Sequence, residues 1–199
     1  MKPETRFDAD SHSYFITTNG AERPVPGVTS VLRDLIPGWS ASDWYLERGR
    51  AVHAAAAFIA RGKQFGYDPQ IEGQVAALRR FYSEVKPVVI ECEMPVYSMA
   101  SQYAGTFDLL TCKPGTDALM ILDFKSTATL SVAYQCAAYA MAHPSRKEIR
   151  WGCGVEIREN GAYQISKDIY ELRFYKQDWL NLLGAYNIRR RNGIKEEAA

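Results

Sequence analysis

The alternation of apolar and polar residues divides the chain into a hairpin, a set of helices, and a block of strands closed by further helices. His12 to Val25 reads as the hairpin: Tyr14, Phe15 and Ile16 run into an Asn19-Gly20 turn, and Pro24 to Pro26 close it. Thr29 or Ser30 can cap a short helix through Leu35, which Pro37-Gly38 ends. Ser40, ahead of Asp43, caps a longer helix running to about Arg61, with Gly62 as its stop. A further helix spans roughly Pro69 to Val85, where Ile71, Val75, Leu78 and Tyr82 recur at helical spacing.

From Val88 the period changes to two. Val88, Ile90, Cys92 and Met94 face one way, and Glu91 and Glu93 the other. Thr106 to Cys112 and Ala118 to Lys125 are the next strands. The turn Lys113-Pro114-Gly115-Thr116-Asp117 makes them antiparallel neighbours. A helix from about Ser131 to His143 follows, then strands Trp151 to Ile157 and Tyr163 to Leu172 joined through Asn160-Gly161, then a last helix from about Lys176 to Arg190. The core order of helix, three strands, helix and strand suits an α/β fold with a mixed central sheet flanked by helices.

Two of those strands read as buried core, yet they carry Asp108, Asp123 and Lys125. Burying an unpaired charge costs several kcal/mol, so such groups are paired or bound to metal. Side chains alternate along Ile121-Leu122-Asp123-Phe124-Lys125. Asp123 and Lys125 therefore share a face, and Leu122 and Phe124 pack into the opposite layer. Asp108 and Asp123 can converge across the strand pair. Two carboxylates so close repel one another unless a cation lies between them, and an oxygen-seeking Mg2+ or Mn2+ serves. A lysine one alternation further can hold a water or a phosphate oxygen. That set suits phosphodiester hydrolysis. The plain alternative is a surface salt bridge of Lys125 with either aspartate.

Other residues add to that set. His53 lies on a helix with Gly49, Arg50, Ala56 and Ala57 as its helical neighbours, a low face that another element can approach. Neutral imidazole is a ligand for Mn2+-type ions, although a lone histidine is more often a core or capping group. Gln135 and Tyr139 share one helix face and can bind phosphate or orient the lysine; helix-packing tyrosines are also common. Glu93, before Pro95, can hydrogen-bond a metal-bound water or simply face solvent.

Composition narrows the setting. The chain has 199 residues, 47% hydrophobic and 24% charged, which suits one soluble domain over residues 1–199. The hairpin and helices, to about residue 87, form an extension before the strand core. A net charge of +1 gives no global pull toward nucleic acid, so a polyanion site must be a local patch. Candidates are Arg48 with Arg50, Arg61 with Lys63, Arg79 with Arg80, Arg146 with Lys147 and Arg150, and Arg189-Arg190-Arg191. Trp39, Trp44 and Tyr45 can stack on unpaired bases or pack as ordinary core. Cys92, Cys112, Cys136 and Cys153 form no C-x-x-C pair and read as reduced thiols. No apolar run reaches a membrane span and the N-terminus lacks a signal peptide's apolar stretch, so a cytoplasmic protein with no membrane partner is expected. A Walker-type glycine-rich loop is absent.

In order along the chain, His53 in its helix, Glu93-x-Pro95, Gly105-x-x-Asp108, Asp123-x-Lys125 and Gln135-x-x-x-Tyr139 resemble the motifs of RecB-like nucleases of the PD-(D/E)XK superfamily. The opening, with His12-x-Tyr14, the Asn-Gly turn and Pro26-Gly27-Val28-Thr29-Ser30-Val31-Leu32, looks like the start of phage-encoded members. The resemblance covers about residues 12 to 172. It implies a restriction-endonuclease-like αβββαβ core. It also implies that His53, Asp108, Asp123 and the Phe124 carbonyl are metal ligands and that Lys125 positions or activates the attacking water. Gln135 and Tyr139 would support DNA phosphates and the lysine, and Glu93 would act from behind the ligands. Asp123 stands where many superfamily members have Glu, although RecB-like members commonly have Asp. The cysteines do not match those that hold an iron–sulfur cluster in some relatives, so no cluster is expected.

The function so implied is a Mg2+- or Mn2+-dependent deoxyribonuclease. The expected form is an exonuclease on single-stranded DNA or DNA ends in phage recombination, repair or metabolism, in the host cytoplasm and with a possible recombination or replication partner. Arg48 and Arg50, one turn from His53, are the expected phosphate contacts. A flap or junction endonuclease, and a non-catalytic DNA-end-binding module on the same fold, are the alternatives.

Overall fold

The Asn19-Gly20 turn takes φ values of 52° and 79°, the left-handed pair that a two-residue hairpin needs. It joins β2 (Ser13–Thr18) to β3 (Ala21–Val25), and β1 (Glu4–Asp8), which alternation did not reveal, pairs antiparallel on the other side of β2. The structure is a computed structural model that describes residues 4–8, 11, 13–36, 43–146 and 148–194, and at 43–45 the backbone alone. His12, the Pro37-Gly38 stop, Trp39, the Ser40 cap, Lys147 and the side chains of Trp44 and Tyr45 lie outside the described residues.

Helix α1 (Val28–Leu35) starts earlier than its cap residues imply. Its N-cap is Gly27, with no side-chain bond, and Thr29 and Ser30 lie inside the helix. The chain is fixed here by β5 instead: the Ala104 N–H donates to the Pro26 carbonyl at 3.0 Å, and Val28 is buried. Helix α2 spans Asp43–Ala60. Helix α3 (Glu72–Val85) follows a single 3-10 turn whose cap, Asp68, accepts the Gln70 N–H at 2.8 Å.

The main sheet has the order β4 (Glu91–Ser98), β5 (Tyr103–Cys112), β6 (Leu119–Lys125), β7 (Ile149–Ile157), β8 (Tyr163–Glu171). The β6–β7 pair is parallel, with α4 (Ser131–Ala142) as its crossover, and the other pairs are antiparallel. The last helix, α5, spans Lys176–Arg191. The fold is thus the mixed α/β architecture that the element order implies.

Alternation along β6 splits the core. Met120, Leu122 and Phe124 pack with α2 and α3, whereas Ile121 packs with α1, α4 and α5. Helix α4 is buried on nearly every side, which its small residues permit. It lies close on the sheet because glycines face it. A Cβ at Gly105 would come 2.5 Å from Tyr139 Cε1, and one at Gly152 would come 2.6 Å from Cys136 Cβ. Among the described residues no helix is long and apolar enough to cross a membrane.

The strand expected from Val88 begins at Glu91. Val88 and Val89 are outside the strand, Ile90 reaches it only through its N–H to the Leu110 carbonyl at 3.0 Å, and all three are substantially exposed. Further along the strand Met94 is also exposed while Cys92 is buried, so the expected single apolar face does not form.

Candidate active site

Strands β5 and β6 pair from Cys112↔Leu119 only as far as Leu109↔Leu122. Beyond that point they part: β5 continues with β4, and β6 with β7. Asp108 and Asp123 are the first residues of the fork. The Phe124 N–H, on the side of β6 left without a strand, donates to Asp108 Oδ2 at 2.6 Å. A side-chain carboxylate thus takes the place of a ladder carbonyl, which satisfies a buried donor.

Strand β4 turns over beside the fork. Glu93 stands opposite Asp108, between the pairs Cys92↔Leu109 and Met94↔Phe107, and has φ 48°. A non-glycine residue there costs on the order of 1 kcal/mol or more. Regular alternation would put Cys92 and Val96 on one face, and Leu109 and Phe107 on one face. Instead Cys92 and Leu109 pack on the α2–α3 side, and Val96 and Phe107 on the α4 side. The consequence separates two glutamates expected to share a face. Glu91 meets His143 at the end of α4, 3.0 Å from Nε2, while Glu93 meets His53 on α2.

His53 Nδ1 lies 2.8 Å from Asp108 Oδ1 and 3.6 Å from Glu93 Oε1. Ligand atoms of His53, Glu93 and Asp108 all fall within 4.8 Å of one another. On the α4 face of β6, Lys125 Nζ lies 3.1 Å from Asp123 Oδ2, as alternation implies. Gln135 Nε2 donates to the Tyr139 hydroxyl at 2.8 Å, and both residues are buried.

Charge and burial oppose one another throughout. Burial works against a charged His53, but Asp108 and Glu93 outweigh it and raise the imidazole well above its ordinary value. Burial pushes Asp123 up to about 6, with Asp108 adding to the rise and Lys125 opposing it. Burial likewise works against the Lys125 ammonium, and Asp123 with Asp108 more than restores it. Glu93 is raised by burial, despite His53, and Asp108 adds to the rise.

Buried acceptors without a hydrogen-bond partner among the described residues include Glu93 Oε1, Asp123 Oδ1 and Gln135 Oε1. Such acceptors are rare in proteins, and a cation satisfies them. With an imidazole nitrogen and carboxylate oxygens as the donor set, the residues fit a divalent ion of the Mn2+ or Mg2+ type.

The remaining expected residues divide. The Phe124 ring packs edge-on against Phe81 and Tyr82, with centroids at 5.5 and 6.3 Å, and anchors the fork in the α2–α3 core. Arg50 is exposed, as a phosphate contact requires. Arg48 is differently engaged: its Nη2 lies 2.6 Å from Glu159 Oε1, and the side chain is 14% exposed. The Gln74 amide, oriented with its oxygen toward Arg48, accepts from Nε at 3.1 Å. Arg48 therefore ties α2 to α3 and to the β7–β8 turn.

Sequence reading missed Arg61 as a neighbour of the site. Its Nη2 donates to the Cys92 carbonyl at 2.8 Å, and its charge acts on Glu93. The signal was present, since Arg61 follows His53 by eight residues, directly after the last residue of α2.

No protein-family model and no curated protein matches the chain. Among solved structures, the chain is similar to an alkaline exonuclease, LHK-Exo, from Laribacter hongkongensis, with a TM-score of 0.39 at 12% identity over 84% of this chain and 92% of that one. It is also similar to LHK-Exo in complex with dAMP, with a TM-score of 0.40 at 12% identity over 85% of this chain and 93% of that one.

Proposed function

We propose that the chain is a metal-dependent deoxyribonuclease of the RecB-like PD-(D/E)XK type. The observation that carries this reading is the fork. A histidine and two carboxylates converge there, a third carboxylate paired with a lysine lies beside them, and buried acceptors are left without donors. His53, Asp108, Asp123 and the Phe124 carbonyl are the proposed metal ligands, and a Glu93 oxygen lies within 4.8 Å of the His53 and Asp108 donor atoms. A bound Mg2+ or Mn2+ would supply Lewis-acid polarisation of a phosphate and a more acidic water.

The protein's own groups do the rest. Asp108 and Asp123 gather negative charge where the cation belongs. Lys125, held by Asp123, brings an ammonium to the reacting phosphate and offsets charge that develops there. Gln135 and Tyr139, both buried and with Tyr139 seated low over Gly105, brace that side of the pocket and support the lysine and the phosphate it meets from behind. Arg50 adds a solvent-facing phosphate contact. The finer reading is an exonuclease on single-stranded DNA or DNA ends, in phage recombination or repair. It rests on the order of the motifs along the chain.

The test is purified protein with end-labelled linear and circular DNA, single- and double-stranded, in Mn2+, Mg2+ or EDTA. Metal-dependent loss of linear DNA with circles spared supports the exonuclease. Discrete internal cuts would support a structure-specific endonuclease. Unaltered activity in folded Asp123→Asn would sink the assignment.

A further inference from the structure

Gly154 and Glu156 stand on β7 in register with Asp123 and Lys125, across the parallel pair. The loop that leaves Lys125 for α4 crosses β7 at these residues. A Cβ at Gly154 would lie 2.9 Å from Ala128 Cβ and 3.4 Å from Val132 Cγ2, so the loop rests on the glycine. Beside it, Glu156 Oε1 accepts the Ala128 N–H at 3.2 Å. The other oxygen is held by Arg158 Nη2 at 2.7 Å, and the same nitrogen donates to Gln164 Oε1 on β8 at 2.6 Å. Glu156 is 18% exposed at its side chain, so this chain of bonds runs along the rim of the site. The far end of the loop is closed by a 2.6 Å contact between the Thr129 and Ser131 hydroxyls.

Between Lys125, held in the β6–β7 ladder, and Ala128, held by Glu156, lie Ser126 and Thr127. Both are exposed, and neither side chain has a hydrogen-bond partner among the described residues. Two hydroxyls are thereby offered to solvent directly after Lys125, on a loop held at both ends. Hydroxyls and backbone N–H groups are common sequence-independent contacts to nucleic-acid phosphate.

We propose that Glu156 is a positioning residue. It holds the β6–α4 loop so that Ser126 and Thr127 grip the phosphate next to the one at Lys125. The proposal rests on the nuclease reading above. Glu156 accepts from Ala128 and from Arg158, so it acts on the loop through Ala128. Lys125 itself is kept in place by the β6–β7 ladder, so loss of Glu156 should weaken substrate binding more than turnover.

The test compares Glu156→Ala with Glu156→Gln, whose amide oxygen can still accept the Ala128 N–H. In steady-state cleavage of a short oligonucleotide, Glu156→Ala should raise KM about 10-fold, the loss of one hydrogen-bonded restraint. Its kcat and Mn2+ dependence should stay within about twofold. Glu156→Gln should restore most of the KM. A purely structural role would instead lower kcat and thermal stability together in both variants, and that result overturns the proposal, as does an unchanged KM in Glu156→Ala. If the native protein cleaves no DNA in any metal, the nuclease reading fails by itself. The positioning role is then read from hydrogen exchange, where the Ala128 amide should exchange about 10-fold faster in Glu156→Ala than in Glu156→Gln. Equal exchange would overturn it.

Discussion

Glu93 and Asp108 face one another across the β4–β5 pair at the step where both strands turn over, and His53 reaches both. The turn-over brings the two carboxylates together beside the imidazole. Regular strands would send these carboxylates to the α4 face. The left-handed residue at 93 directs Glu93 toward α2 instead, and the fork frees Asp108 to bond both His53 and Phe124.

Asp108 thus has a structural task and a proposed chemical one, and the two are separable. Asp108→Asn keeps an oxygen for the Phe124 N–H, whereas Asp108→Ala leaves that buried donor unpaired, at a cost of about 1–3 kcal/mol. Chemical denaturation should show the alanine variant less stable than the asparagine variant by that order. Titration with Mn2+ should show both losing affinity. Equal stability of the two variants would mean that the 2.6 Å bond contributes little.

Asp123 and His53 should make the metal-free protein lose stability as pH rises from about 5 toward 8. Asp123 is raised from its ordinary 3.8 to about 6, so the folded state holds that proton more tightly than the unfolded chain. Its contribution is complete below 3.8 and is lost as pH rises through about 6. His53 is also raised, so its contribution is complete below 6.5 and is lost above, as pH passes its folded value. Metal competes with these same protons, so Mn2+ should bind more tightly as pH rises and stabilise most at the alkaline end. Melting curves from pH 5 to 8, with EDTA or Mn2+, check both signs.

Part of this site was legible in the sequence because strand alternation is strict where a strand is regular. Ile121 to Lys125 obeyed it, so Asp123 and Lys125 came out on one face and Leu122 and Phe124 in the opposite layer. Around Glu93 the same rule misled. A positive φ at a glutamate has no sequence signature, and carrying the alternation back to Val88 assigned exposed residues to a strand. The start of α1 was missed for another reason: a backbone bond from Ala104 fixes it, and tertiary contact overrode the local cap signal. The glycines that let α4 sit low were likewise invisible until the helix had a partner surface.

Two of the close approaches predict a ranking. A methyl group at Gly73 would fall 1.6 Å from the Glu159 carbonyl oxygen, a backbone atom that cannot move aside without shifting the β7–β8 turn. At Gly105 the nearest atoms belong to Tyr139 and Val28 side chains, which can rotate or shift. Gly105→Ala should therefore cost about 1–3 kcal/mol, as overpacking typically does, and Gly73→Ala more. Thermal melts rank the two. Gly105→Ala should also impair cleavage beyond its stability loss, because it lifts Tyr139 away from the site, while Gly73→Ala should not.

Arg48 and Arg50 lie two apart on α2 and should behave oppositely. Arg48→Ala removes the 2.6 Å pair with Glu159 and strands Gln74, which is buried, so it should lower the melting temperature. Its effect on DNA affinity should be no larger than its effect on folding. Arg50 is exposed, and Arg50→Ala should leave the melting temperature unchanged. It should instead weaken DNA binding and reduce the dependence of log affinity on log salt by about one phosphate contact, a slope change near 0.7 for a single strand. If Arg50→Ala alters neither affinity nor salt slope, DNA does not pass that face of α2.

Lys125 offers the sharpest separation of binding from turnover. Its ammonium offsets the buried charge of Asp123 at 3.1 Å, so Lys125→Met removes that offset and should push Asp123 further above about 6. At pH 7 the metal-free variant can then hold a proton on Asp123, which limits the loss of stability that an unpaired buried carboxylate would otherwise bring. Mn2+ still finds His53, Glu93 and Asp108 within reach of one another, so binding should persist, weakened at low pH by the tighter proton on Asp123. Cleavage should fall by about 100-fold or more, because a charge aimed at the phosphate in a buried site is lost. Calorimetric titration with Mn2+ beside a single-turnover cleavage assay measures the two effects. Loss of metal binding in proportion to activity would mean that Lys125 serves the metal site and not the phosphate.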